Sequence, residues 1–132
     1  MRKLLASLES DLMDDLLECL LKALGLAFWL DEPLRRSIAG FRGRYVFRSE
    51  SGEIAASALF DGEEMKVEES AVADADVTVV FKDGRALWEF LTSKDPDVFA
   101  FVVESKLTFE GNLNYLLKFS YLARHLEYLV TP

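Results

Sequence analysis

Side chains suited to catalysis are scarce in this sequence, which holds one histidine and one cysteine. Cys19 lies among leucines, where a free cysteine usually behaves as a small buried apolar residue. His125 lies beside Arg124 and near Glu127, which favours a solvated surface imidazole. Nucleophilic catalysis needs a base in hydrogen-bond reach and a group that orients it. One His and one Cys also cannot complete a zinc ligand set from nitrogen and sulfur. The sequence therefore predicts no catalytic site and no metal site.

Carboxylates are the remaining candidates, and they are densest between residues 61 and 76. There they alternate with apolar residues at strand spacing, which is typical of a solvated sheet face and its loops. Asp83-Gly84 and Glu110-Gly111 are typical of simple turns, and the sequence has no glycine-rich phosphate loop. We therefore expect a protein that is not an enzyme and that needs no cofactor.

The composition fits one domain, because 132 residues lie within the usual domain length of roughly 100–200. Hydrophobic residues make up 51% and charged residues 29%, as in ordinary globular proteins. A net charge of −8 repels phosphate backbones, so nucleic acid is excluded as a partner. No apolar run approaches the roughly 20 residues of a membrane span, and Ser7 and Glu9 interrupt the apolar start before a signal sequence forms. With a single cysteine, these features favour the cytoplasm.

A helical segment over residues 1–40 is expected to precede the main domain. Leucines at every fourth position predict an amphipathic helix over residues 3–24 that ends at Gly25. Asp31, as an N-cap, predicts a second short helix that Gly40 ends.

The main domain, residues 41–132, begins with a change to strand periodicity. Turn dipeptides at 51–52 and 61–62 predict an antiparallel meander of three strands. The predicted strands are 44–49, 53–60, 63–69, 76–82 and 106–110. Later helices are predicted from Asp83, from Pro96 and over residues 113–129. The fold class is therefore α+β.

Residues 42–123 resemble the sterol carrier protein 2 family, also called the sterol-binding domain. The order and spacing of several unspecific parts carry the resemblance. They are the meander, the run Asp74 to Val79, Asp83 with Leu87 and Leu91, Lys94-Asp95-Pro96 with Phe101, and the closing run Lys106 to Leu113. The family usually has Gly where Ser105 stands and favours Asp where Asn112 stands. The first 40 residues have no clear counterpart beyond one leading helix.

The resemblance implies a twisted five-stranded sheet covered by helices, with an apolar tunnel between them. Family members bind sterols, phospholipids, fatty acids or acyl-CoA esters, and some bacterial relatives are accessory factors in ubiquinone synthesis. The resemblance assigns the tunnel to apolar residues of the last third, with Trp88 and Tyr121 offering polar atoms at its rim. The expected lining is Trp88, Leu91, Phe99, Val102, Val103, Leu107, Phe109, Leu113, Leu116, Leu117, Phe119 and Tyr121.

Two functions remain open at this point. The first is the non-catalytic carrying or presentation of an apolar lipid, such as an acyl chain, phospholipid, isoprenoid quinone or sterol-like molecule. The second is a protein-interaction or scaffold domain whose apolar residues simply fill the core. That scaffold would form a homodimer through the leucine-rich helix, residues 4–24. The acidic polar face of this helix disfavours anionic membrane surfaces.

Overall fold

The computed structural model describes the backbone of residues 2–92 and 98–130 and the side chains of residues 11–90, 100–119, 121 and 122. The helices in these ranges are α1 (Arg2–Leu30), α2 (Glu32–Ser37), α3 (Gly84–Thr92), α4 (Val98–Val103) and α5 (Leu113–Val130). The strands are β1 (Arg42–Ser49), β2 (Ala55–Asp61), β3 (Met65–Glu68), β4 (Val77–Phe81) and β5 (Leu107–Gly111). The predicted helix start at Pro96 lies outside the described residues. Among the described residues, no helix combines the length and apolarity needed to cross a bilayer.

The strands form one mixed sheet in the order β3-β2-β1-β4-β5. The predicted meander of β1, β2 and β3 is confirmed, and β4 then pairs with β1 in parallel and with β5 antiparallel. Paired residues point to the same side of a sheet, so the register collects the buried side chains on the face that the helices cover. They are Tyr45, Phe47, Ala56, Ala58, Phe60, Met65, Val77, Val79, Phe81 and Leu107.

α1 packs over the β2–β3 edge of this sheet. Its buried stripe recurs at helical spacing and consists of Met13, Leu17, Leu21, Leu24 and Phe28. The predicted helix end at Gly25 is wrong, because α1 continues to Leu30. Gly25 passes close to β3, where an added Cβ would lie 3.4 Å from the carbonyl oxygen of Met65. The glycine therefore serves a close helix–strand approach, and the helix continues so that Phe28 can pack edge-on against Phe60 at 6.0 Å.

Short polar side chains fix the helix starts that the sequence predicted. The Asp31 Oδ2 atom accepts a hydrogen bond from the Leu34 N–H at 3.0 Å, and Asp83 Oδ1 accepts one from the Ala86 N–H at 2.9 Å. These bonds satisfy amides that a helix start leaves unpaired. Both N-caps direct their helices onto the core, where the α2 residue Leu34 is buried.

The outer sheet face is covered in part by the segment between β3 and β4. The Ser57 hydroxyl donates to the Ser70 carbonyl oxygen at 2.6 Å and accepts a hydrogen bond from the Val72 N–H at 3.1 Å. Ser57 is fully buried, and this pairing removes the cost of burying its hydroxyl. The same segment leads from the β3 edge to β4, on the far side of β1.

Candidate functional site

The sheet centre under α5 is filled by aromatic rings. The Phe119 ring lies 5.1 Å from that of Tyr45 and 4.8 Å from that of Phe47, centroid to centroid. Tyr45 is fully buried, and its hydroxyl donates to the Tyr115 carbonyl oxygen at 2.7 Å. Burial raises the pKa of Tyr45, so this phenol stays neutral and serves as a structural tie between β1 and α5.

The edge strand β5 presents a different surface. Leu107 is buried against the core, whereas Phe109 is half-buried although it lies on the same helix-covered face of the sheet. α5 begins two residues after β5, and its first turns expose Leu113 (38%) and Leu117 (42%) while burying Leu116. The β5 edge thus combines a buried floor with apolar side chains that reach solvent.

Exposed apolar residues continue along α5 at a spacing of four. Leu113, Leu117 and Tyr121 are exposed and spread over about 80° of the helix surface. Leu116 and Leu122 lie about 100° and 140° around the helix from Leu117, and both are buried. α5 is therefore apolar on two sides, one of which packs on the sheet.

Besides α5, the helix α4 also lies next to β5 and contacts it. Phe101 packs edge-on against Phe90 at 5.3 Å, and Val102 is half-buried. Val103 is 83% exposed, so it lies at the surface rather than in the layer between helices and sheet. Trp88 on α3 is also exposed. The side chains of Leu91 and Phe99 lie outside the described ones.

The expected lining residues thus divide into three groups. Leu107 and Leu116 belong to the buried core, and Phe119 joins the ring cluster on Tyr45 and Phe47. The half-buried or exposed residues around β5 are Val102, Phe109, Leu113 and Leu117. Farther out on exposed surface are Trp88, Val103 and Tyr121. Their assignment to a tunnel stays a prediction.

Lys106 holds the start of β5 between two helices. Its Nζ atom lies 2.8 Å from Glu89 on α3 and 2.9 Å from Glu104 after α4, and 5.5 Å from the Phe101 ring centroid. The hydrogen bonds with Glu89 and Glu104 raise the pKa of Lys106, so it remains a cation at all physiological pH values. This small network fixes α3 and the α4–β5 turn beside the exposed apolar residues.

Two of the carboxylates between residues 61 and 76 accept hydrogen bonds from the backbone. Asp61 Oδ1 accepts hydrogen bonds from the Glu63 and Glu64 amides, both at 2.9 Å. The hydrogen bonds from the Glu64 and Glu63 backbones lower the pKa of Asp61. Asp76 Oδ2 accepts from the Arg44 N–H at 2.8 Å. These structural partners support the interpretation of the run as a solvated face and its loops.

A shallow groove of about 500 Å³ with charged and apolar lining residues lies at the start of β1. Its rim carries Arg42, Arg44 and Lys66 together with Asp61 and Asp76. Arg44 is already engaged, because its Nη1 donates to the Ala73 carbonyl oxygen at 2.9 Å. With both charge signs on its rim, the groove does not favour one class of ion.

No catalytic constellation is formed by the part of the chain that the structure describes. Within it, no three His, Cys, Asp or Glu side chains group as metal ligands. The interpretation of Cys19 as buried is wrong, because this residue is exposed on the outer side of α1. The core stripe of α1 runs through Leu17 and Leu21 instead, which turns position 19 towards solvent. The side chain of His125 lies outside the described ones.

No protein-family model and no curated protein matches the chain. Solved structures do match it. A UbiJ-SCP2 ubiquinone synthesis protein is 18% identical, with 89% of this chain and 93% of that chain covered and a TM-score of 0.61. Palmitated SCP2L2 from Aedes aegypti is 16% identical, with 82% and 94% covered and a TM-score of 0.54.

An enzyme is also similar over a small part of its length. The inverting sec-alkylsulfatase Pisa1 from Pseudomonas sp. is 16% identical, with 67% of this chain but 14% of that chain covered, and a TM-score of 0.56. At these identities the likeness concerns the fold. The chain has the α+β fold of sterol carrier protein 2 domains, and the resemblance predicted from its sequence is confirmed at that level.

Proposed function

We propose that the protein binds one apolar lipid chain without transforming it, and carries or presents it in the cytoplasm. The observation that carries the proposal is the group of apolar residues that reach solvent around the buried floor at β5, namely the half-buried Phe109 and the exposed Leu113 and Leu117. An apolar chain laid there would cover side chains that now contact water. The fold supports lipid binding in general, because a structure of the same fold is described as palmitated.

The ligand has to lie towards β4 and β5, because rings occupy the space between α5 and β1. Phe119 fills the layer above Tyr45 and Phe47. On the β5 side, Leu113 and Leu117 are exposed, while the rings of Phe90 and Phe101 pack between α3 and α4. The proposed lining is the part of the expected set that lies around β5, namely Val102, Phe109, Leu113 and Leu117, with Leu107 and Leu116 as its floor.

The energetics suit a long unbranched or prenyl chain. Each buried CH₂ contributes about 0.8 kcal/mol, so ten methylenes contribute about 8 kcal/mol. Association costs roughly 4–15 kcal/mol in lost freedom, so a short chain binds weakly and a long one with useful affinity. Fatty acyl, phospholipid and isoprenoid quinone tails all meet this requirement. The likeness to a ubiquinone synthesis protein makes the quinone tail the first ligand to test.

Extraction and binding assays test the proposal. We expect organic extracts of the purified protein to contain lipid, and palmitate, palmitoyl-CoA, phospholipid or a ubiquinone analogue to raise its melting temperature. Leu117→Asp should weaken binding at least tenfold. Leu26→Asp is the matched control, because it places the same change at an exposed leucine on α1. Failure to recover or bind any of these lipids would refute the proposal.

A scaffold that forms a homodimer through α1 is the second candidate function. The outward side of α1 favours it, since Leu12 and Leu26 are 63% and 57% exposed. Under this alternative, Leu12→Lys with Leu16→Lys breaks the assembly and leaves the fold of residues 42–132 intact. Light scattering and circular dichroism measure the two properties separately, and an unchanged oligomeric state would count against it.

A further inference from the structure

α1 carries a second apolar stripe opposite its core stripe. Leu12, Cys19 and Leu26 are exposed and lie seven residues apart, so they follow one line along the helix with a drift of only about 20° per step. Leu30 (73% exposed) and the exposed Ala23 flank this line on one side. We call the five residues the outer stripe of α1.

The outer stripe needs a partner. It extends over about 28 Å at 1.5 Å per residue, and a contiguous exposed apolar patch of this kind marks an interaction site on soluble proteins. Its residue pattern is that of a helix pairing seam with a seven-residue repeat. The small residues Cys19 and Ala23 at its middle allow two helix backbones to approach closely.

The charges beside the outer stripe point to a second copy of the chain running in the opposite direction. Asp15 and Lys22 are both exposed on the same flank, four residues before and three residues after Cys19. In an antiparallel pair centred on Cys19, Lys22 lies only one residue step, about 1.5 Å, from Asp15 of the second copy along the axis. A parallel pair would instead place the two flanks on opposite sides of the seam, so that neither Asp15 nor Lys22 would face its counterpart or the opposite charge.

We propose that the protein forms a homodimer through α1, antiparallel and centred on Cys19. This deepens the dimer alternative of the proposed function and does not depend on lipid binding. Leu12 of one copy packs on Leu26 of the other, and the pairing of Lys22 with Asp15 occurs twice by symmetry. Lys22 also keeps its bond to Glu18 on the same helix, at 2.8 Å. The surface that the outer stripe can bury is small compared with the roughly 800 Å² per partner of a standard interface. The dimer should therefore dissociate on dilution.

The two Cys19 residues meet at the symmetry axis and report on the register. Helix axes about 8–10 Å apart, with a Cα radius of about 2.3 Å, leave facing Cα atoms about 3.4–5.4 Å apart. The upper part of this separation lies within the range of about 4.4–6.8 Å that a disulfide requires. Copper(II)–phenanthroline, as the added oxidant, should therefore remove two electrons and two protons from the two thiols and leave one disulfide. Because the chain has one cysteine, only this crosslink can form.

Relocating the cysteine separates antiparallel from parallel pairing. In Cys19→Ser/Leu26→Cys, antiparallel helices hold the two thiols fourteen residue steps, about 21 Å, apart, so this variant should not crosslink with itself. Mixed with Cys19→Ser/Leu12→Cys, it should crosslink at least tenfold faster than alone. Rapid self-crosslinking of the Leu26→Cys variant would indicate parallel pairing and overturn the proposal.

Sedimentation over a concentration series tests the dimer itself. Leu26→Lys should weaken dimerisation at least tenfold, and Leu117→Lys is the matched exposed control that should not. Asp15→Lys and Lys22→Asp should each weaken the dimer, and the double exchange should restore it. A monomer at all concentrations, or equal effects of Leu26→Lys and Leu117→Lys, would overturn the proposal. Lipid uptake is measured on the Leu26→Lys variant as well. If that variant still takes up lipid, the dimer proposal can fail while the lipid-binding proposal stands.

Discussion

The end of β5 depends on a glycine whose replacement gives a sharp test of how α5 is held. Gly111 has a φ of +113°, and a Cβ added there would lie 2.2 Å from the Asp76 carbonyl oxygen and 2.9 Å from the Val77 Cα. Both neighbours belong to the backbone at the start of β4. No side-chain rotation can relieve the contact, so Gly111→Ala has to displace β5 or β4.

The matched control is Gly52→Ala. Gly52 also has a positive φ, +80°, but an added Cβ would meet nothing within 4 Å. Its replacement therefore incurs only the backbone strain, about 1–2 kcal/mol. Gly111→Ala also breaks the 3.0 Å hydrogen bond from the Asn112 N–H to the Asp76 carbonyl oxygen. The loss of this bond lowers the unfolding free energy by about 0.5–1.5 kcal/mol. The distortion of the strand pair adds roughly 1–2 kcal/mol more. We expect Gly111→Ala to lower the unfolding free energy by about 3–5 kcal/mol in total.

Urea unfolding followed by circular dichroism measures both variants. Because α5 starts directly after Gly111, we also expect the Gly111→Ala variant to lose lipid uptake at temperatures where it remains folded, while Gly52→Ala retains it. Equal destabilisation by the two substitutions would show that β4 yields easily at this point. The reasoning that β4 fixes the position of α5 would then be refuted.

Three further predictions concern single side chains. Ser105 has a φ of +60°, so Ser105→Gly should raise the unfolding free energy by about 0.5–1 kcal/mol, and an unchanged urea midpoint would contradict this. Tyr45→Phe should cost about 0.5–1.5 kcal/mol through the lost bond to Tyr115. Because burial raises the pKa of Tyr45, the wild type loses stability as the pH rises above about 10. The difference in unfolding free energy between the wild type and Tyr45→Phe should therefore narrow above that pH. A difference that stays constant would refute the raised pKa of Tyr45. The hydrogen bond with Glu18 raises the pKa of Glu69, so the protein loses stability as the pH rises through that pKa and Glu69 ionises. Glu69→Gln should therefore raise the melting temperature at pH 7 and have little effect on it below about pH 4. An equally large effect below pH 4 would contradict this prediction.

The strands could be predicted from the sequence because their signals are local. Alternation of apolar and polar residues marks β2 and β3, and glycine dipeptides mark the turns between strands. The parallel contact of β1 with β4 joins residues about thirty positions apart, so no local pattern contains it. The family resemblance supplied a five-stranded sheet but not this pairing.

The orientation of α1 could not be predicted, for a geometric reason. Leucines at every fourth position advance by about 40° per step beyond a full turn, so Leu8, Leu12 and Leu16 sweep around the helix rather than mark one side. Because apolar residues lie on both sides of α1, packing against the sheet determines which stripe is buried. The buried stripe is the one through Leu17. The outward position of Cys19 and the continuation past Gly25 both follow from that choice.

The same limit applies to the candidate site. The sequence places Phe109, Leu113 and Phe119 in one apolar third of the chain, but it does not distinguish rings that fill the core from side chains that reach solvent. That difference depends on sheet position. Phe119 lies over the central strand β1, whereas Phe109 lies on the edge strand β5, which has a neighbour on one side only.

The strand order also separates the two proposed surfaces. α1 packs at the β2–β3 edge and α4 at β5, and the sheet order places four strand spacings, about 19 Å, between the two edges. The rings on Tyr45 and Phe47 fill the layer between them. Pairing of two copies through α1 therefore leaves the β5 edge accessible on each copy, and a lipid at β5 touches no residue of the outer stripe. Because the two surfaces share no residue, binding at one should leave the affinity at the other unchanged, and a measured change would indicate coupling through the contacts of α1 with α3 and α5.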